Sequence, residues 1–145
     1  MRYFNTFGPV NAAEHYVVPR SDLVTDLVAQ IERGTYFTIY APRQMGKTTL
    51  LRHLADVLYE KRDYLPVTLS FEAFESWPVV DFLEEVGDWL GSEIQQQLQA
   101  ISHPKLGEVE ALLAQTPPVD YRGFLRFFRQ LAQLAPDVKV VLVID

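Results

Sequence analysis

The segment from Tyr36 to Leu58 changes character twice, and that order constrains the fold more than any other feature of the chain. An apolar, β-branched and aromatic run, Tyr36-Phe37-Thr38-Ile39-Tyr40, breaks at Ala41-Pro42-Arg43-Gln44-Met45-Gly46-Lys47-Thr48-Thr49. Leu50, Leu51, Leu54, Val57 and Leu58 then recur at helical spacing. A short apolar run of this kind predicts a buried parallel strand. Strand, loop and helix in that sequence are what a phosphate-binding loop requires, because the loop aims successive N–H groups at the ligand beside the positive end of the helix. Gly46 lets the backbone approach a phosphate with no Cβ in the way. Lys47 would place a point charge on the β- and γ-phosphates, and the Thr48 hydroxyl would ligate the magnesium that bridges them. Pro42, Arg43, Gln44, Met45 and Thr49 complete the expected nucleotide-contacting segment. Gly46, Lys47 and Thr48 are the last three positions of G-x-x-x-x-G-K-[ST], and Ala41 stands where that pattern has its first glycine. The competing reading, a chance Gly-Lys-Thr in a surface turn, does not account for the strand before it and the helix after it.

With 145 residues and 48 % apolar content, the chain has room for one globular domain with a real core. Its longest apolar runs, Val138 to Ile144 and Tyr36 to Ala41, are far short of a membrane span, and no apolar stretch follows Arg2, so neither a membrane segment nor a signal peptide is expected. The absence of cysteine excludes disulfides, thiolate metal sites and cysteine nucleophiles, and suits a cytoplasmic protein. A net charge of −6 gives no support to nonspecific nucleic-acid binding, which rests on an excess of Lys and Arg.

Residues 1–20 have no period and read as an extended arm with apolar anchors. Ser21 is the expected N-cap of a helix from Asp22 to about Arg33, striped by Leu23, Val24, Leu27, Val28 and Ile31 and ended by Gly34. A second strand is expected over Leu65–Phe71, with Pro66 near its start. Helices follow from about Pro78 to Ala100, with Gly87 and Gly91 weakening its continuity, from Leu106 to Leu113, and from Asp120 to Ala135.

Val138 to Ile144 predicts a last buried strand, closed by Asp145. Two readings are open for it: an ordinary core strand with an acidic end, or a Walker B element whose carboxylate helps hold magnesium. The upstream phosphate loop favours the second, since both strands should present their carboxyl ends to one crevice.

Taken together, these residues resemble the AAA-like P-loop ATPases of bacteria, near the AAA+ and STAND ATPases, over nearly the whole chain. The Ala-Pro-Arg-Gln opening at residues 41–44 is typical of that group, and His15-Tyr16-Val17-Val18-Pro19-Arg20-Ser21-Asp22-Leu23 looks like the segment by which such ATPases hold adenine. By itself the segment Tyr16 to Arg20 equally suits a core-covering arm. The resemblance implies Val17 or Val18 as an adenine wall, with Tyr16 nearby and Arg20 positioning the loop. It also implies an α/β fold of the three-layer P-loop NTPase type (ASCE/AAA-like), a parallel sheet flanked by helices, with a helical insertion at about 78–135. Members of the class place an acidic residue after the Walker B aspartate and then a strand lying between the P-loop and Walker B strands. Residues 1–145 therefore read as the amino-terminal part of one such domain, incomplete at the C-terminus. Its sheet is expected to hold either a gap or a pairing of Tyr36–Tyr40 with Val138–Ile144.

The function implied is binding of ATP and Mg2+, with Lys47 and Asp145 as the catalytic positions and Thr48 and Asp145 as the metal ligands, hydrolysis being expected only in a complete protein. The alternative is a nucleotide-gated interaction module with little or no turnover, working through a protein partner or self-association. ATP rather than GTP rests on the resemblance alone. Weaker signals have plainer readings. Arg122, Arg126 and Arg129 suit a solvated helix face, Glu72 and Glu75 surface carboxylates, and Trp77 and Trp89 core or interface anchors. His15, His53 and His103 have no metal-ligand spacing.

Overall fold

The computed structural model describes residues 20–42, 45–71, 74 and 76–145. It divides into two compact units, the first ending at Val57 and the second running from Leu58 to Asp145.

In the first unit, helix α1 (Ser21–Glu32) buries Val24, Leu27 and Val28, spaced to line one face. Leu23, expected in that stripe, is exposed. The helix starts one residue earlier than the spacing predicts. Arg20 takes the N-cap position with no side-chain capping bond, and Ser21, the expected cap, is already helical. Its end follows prediction: Gly34 has φ +70°, its N–H donates to the Ile31 carbonyl and that of Thr35 to Gln30. This pair of bonds is the Schellman arrangement, which needs a residue in the left-handed region. Residues 36–40 are not a strand. Tyr36 is 101 % and Tyr40 91 % exposed, where a buried strand was expected. An extended segment becomes a strand only by sharing hydrogen bonds with a neighbour, and the ladder among the described residues holds two other segments. Helix α2 (Lys47–Glu60) begins in this unit, where it buries Leu50, Leu51 and Leu54 with Val57 half-buried, and ends in the second, where Leu58 is buried.

The second unit is built on two strands, β1 (Tyr64–Leu69) and β2 (Lys139–Ile144), paired in parallel from Tyr64 with Lys139 to Leu69 with Ile144. Parallel neighbours need a long crossover, here supplied by α3 (Val79–Ala100), α4 (Leu106–Gln115) and α5 (Tyr121–Leu134). The fold class is thus α/β, a small parallel sheet flanked by helices. Among the described residues the sheet holds these two strands, β1 and β2. The core joins Leu65, Val67 and Leu69 of β1 to Val86, Leu90, Ile94 and Leu98 of α3, Val109 of α4, and Phe127 and Leu131 of α5.

Helix α3 is continuous over its 22 residues. Gly87 and Gly91 do not break it, because each marks a close approach: a Cβ on Gly87 would overlap the Pro118 carbonyl, and one on Gly91 would lie 3.0 Å from a Leu113 methyl. Strand β2 departs further from expectation. Val143 is buried, but Leu142 is 44 % and Ile144 53 % exposed. A parallel strand reads as a buried apolar run when both faces are covered, and β2 has one strand neighbour, β1, among the described residues. No helix among them is long and apolar enough to cross a membrane.

Candidate functional site

The turn into α2 is where the first unit gathers polar and cationic groups. The Met45 N–H reaches back to the Pro42 carbonyl at 3.4 Å, and Gly46 follows with φ +75°. A Cβ placed on Gly46 would meet nothing within 4 Å, so glycine is required there by backbone conformation and not by crowding. The helix begins at Lys47, and the Leu50 N–H makes the bond back to the Gly46 carbonyl at 2.9 Å. Lys47, Thr48 and Thr49 fill the first turn and are half-buried. The N–H groups of a first turn point out of the amino end of the helix, which carries a partial positive charge. No acidic residue in that turn neutralises it.

Arg20, at the start of α1, donates from Nη2 to the Met45 carbonyl oxygen at 2.7 Å. The bond ties the residue before Gly46 to a position 25 residues upstream. Arg20 and Lys47 thus flank the turn from two segments, and the arrangement is chemically suited to an anionic group with several oxygen acceptors. Met45 and Gly46 are exposed.

In the second unit, the Asp145 N–H donates to the Leu69 carbonyl at 2.9 Å, carrying the β1–β2 ladder one residue past Ile144. Asp145 therefore stands at the carboxyl end of the parallel strands, half-buried. Tyr16, Val17, Val18, Arg43 and Gln44, assigned from sequence to the nucleotide site, lie outside the described residues, as do Glu72 and Glu75. Arg122, Arg126 and Arg129 are exposed along α5. Trp77 is half-exposed and meets Phe74 edge-on with ring centres 5.1 Å apart.

One polar pair had no sequence signal. His103 is buried, its Nδ1 accepts the Lys105 N–H at 3.2 Å, and its Nε2 lies 3.1 Å from Asp137 Oδ2. Because Nδ1 is an acceptor, the ring proton sits on Nε2 and is donated to the carboxylate. The hydrogen bond from His103 holds the Asp137 carboxyl below its ordinary range, helped by a backbone hydrogen bond within Asp137 itself. The 34-position separation of the partners explains why spacing could not reveal them.

A family model described as an AAA-like domain matches residues 6–109. The matched span takes in α1, the turn, α2, β1, α3 and the first residues of α4, and it ends before β2 and Asp145. No curated protein and no solved structure matches the chain.

Proposed function

The chain belongs to the AAA-like domain family, and from that premise we infer that it binds ATP with Mg2+ at the amino end of α2. The observation that carries the reading is the left-handed Gly46 set directly before a helix that begins at Lys47, with Arg20 holding the Met45 carbonyl from outside the loop. First-turn N–H groups and the Lys47 ammonium receive the β- and γ-phosphates. Pro42, Met45 and Thr49 border the same turn, and Arg43 and Gln44 complete its sequence. The Thr48 hydroxyl and the Asp145 carboxylate, each a hard oxygen donor of the kind Mg2+ takes, are the ligands proposed for the metal. Bound Mg2+ would neutralise phosphate charge. Arg20 acts as a positioning residue, and Tyr16, Val17 and Val18 supply the apolar side for adenine.

The experiment is a melting curve of the 145-residue chain with and without ATP-Mg, with Lys47→Ala alongside. Ligand at about a hundred times its dissociation constant stabilises the native state by about 2.7 kcal/mol. The expected outcome is a raised melting temperature in the parent chain and none in the variant. Equal shifts in both would remove the phosphate-loop reading.

A further inference from the structure

Charge is not spread evenly over the second unit. Helix α3 carries Asp81, Glu84, Glu85, Asp88 and Glu93 and no Lys or Arg, whereas α5 carries Arg122, Arg126 and Arg129 and no carboxylate. The core of the same unit fixes the faces on which they stand. Val86, Leu90 and Ile94 turn one side of α3 inward, and Phe127 and Leu131 one side of α5. Asp81, Glu84, Glu85 and Asp88, like the three arginines, are exposed on the opposite sides. None of these exposed groups makes an ion pair among the described residues. The Arg126 Nε instead donates to the Arg122 carbonyl at 3.4 Å. Like charges at i, i+4 oppose helix formation, and each helix holds such a set with no opposite charge of its own to offset it. Large apolar side chains border both stripes, Trp89 on α3 and Leu125 on α5, and both are exposed.

We propose that the arginine face of α5 docks on the acidic face of α3 of a second copy of this chain. The occupant is set by charge and by interval. Arg122, Arg126 and Arg129 are separated by four positions and then three. Read from its carboxyl end, the acidic face repeats those intervals at Asp88, Glu84 and Asp81. Laid antiparallel, the two helices pair Arg122 with Asp88, Arg126 with Glu84 and Arg129 with Asp81, each guanidinium forking onto a carboxylate. The parallel order finds the same intervals at Asp81, Glu85 and Asp88 but aligns the helix dipoles, which favours the antiparallel one. A single exposed ion pair contributes little. Three in register form a network, and Trp89 and Leu125 at its margins add apolar area that leaves water on contact. A polyanion such as nucleic acid is a poorer occupant, because α3 and the net charge of −6 repel it. One chain carries both halves of the contact, and neither half uses a residue of the turn before α2.

The test is the mass of the 145-residue chain in solution across concentration, without nucleotide, for the parent and two charge-reversed variants. The parent is expected at twice the 16.6 kDa of one chain or more, falling to a single-chain mass on dilution or in high salt, which screens exposed charges. Arg122→Glu with Arg126→Glu in one variant, and Glu84→Arg with Asp88→Arg in the other, set like charges opposite one another, so each variant alone is expected to stay single-chain. Mixed, the two variants again present opposite charges to each other on both helices, and association is expected to return. Melting curves close to the parent's establish that these exposed substitutions leave the fold intact. Should a reversal unfold the chain, the milder Arg126→Gln and Glu84→Gln read the same contact, each weakening association. A parent of single-chain mass at every concentration, association retained in either reversed variant, or a mixture that stays single-chain would each overturn the proposal.

Discussion

Arg20 and Met45 are joined by a 2.7 Å hydrogen bond from a guanidinium to a main-chain carbonyl, across 25 residues of sequence. The donor stands at the N-cap position of α1 and the acceptor precedes Gly46, so the start of the helix and the turn share one anchor. If the turn receives phosphate groups, the bond has its effect in keeping the Gly46 conformation populated before ligand arrives.

Arg20→Ala is therefore expected to lower ATP-Mg affinity several-fold while changing fold stability by about 0.5 kcal/mol or less, as surface positions do. Calorimetric titration paired with a melting curve checks both halves. Unchanged affinity would assign the bond a purely local role.

Gly87→Ala is expected to reverse the usual sign of such a change. In an open helix interior, alanine is favoured over glycine by about 0.5–1 kcal/mol. Here the added Cβ overlaps the Pro118 carbonyl, a backbone atom that cannot swing aside, so the substitution destabilises by about 1–3 kcal/mol. Urea unfolding of the variant reads the sign directly.

Asp120 holds the start of α5, its Oδ1 accepting the Gly123 N–H at 2.6 Å. Asp120→Ala leaves that donor unserved and is expected to cost about 1 kcal/mol. Asp120→Ser, which retains an acceptor, should recover most of the loss. A variant as stable as the parent would show that water serves the donor equally well.

The His103–Asp137 bond sets a pH dependence whose sign follows from the lowered Asp137 pKa. A carboxylate depressed on folding contributes stability that is fully present above its unfolded value and is lost as pH falls through the folded one. The loss therefore falls in the acid range, below the ordinary carboxylate value. Melting temperatures recorded from neutral to acid pH should show a shallower decline in Asp137→Asn than in the parent. Parallel curves would place the acid sensitivity elsewhere.

Much of the helical architecture was legible because it is local. The stripe at Val24, Leu27 and Val28 and the stop at Gly34 need only a period and a glycine, and both stand in the structure. Helix α3 shows the limit of local reading. Gly87 and Gly91 argue against continuity when each is weighed alone, yet the helix runs through them, because their missing side chains admit Pro118 and Leu113. The residue types of the turn before α2 were visible in the sequence, whereas the partner of Arg20 was not.

The sequence by itself determined where helices form, how they end, and which loop combines Gly46, Lys47 and Thr48, since period, capping and residue chemistry act within a few positions. Tertiary structure decided the sheet. Tyr36–Tyr40 and Val138–Ile144 are similar apolar runs, but only the second is a strand here, in register with Tyr64–Leu69. Strand formation depends on a hydrogen-bonding neighbour that no window of sequence contains. The same physics acts on β1: Pro66 was readable as a proline in a strand, but Gln97, whose Nε2 donates to its carbonyl, lies 31 residues away and reaches it only after α3 folds back over β1.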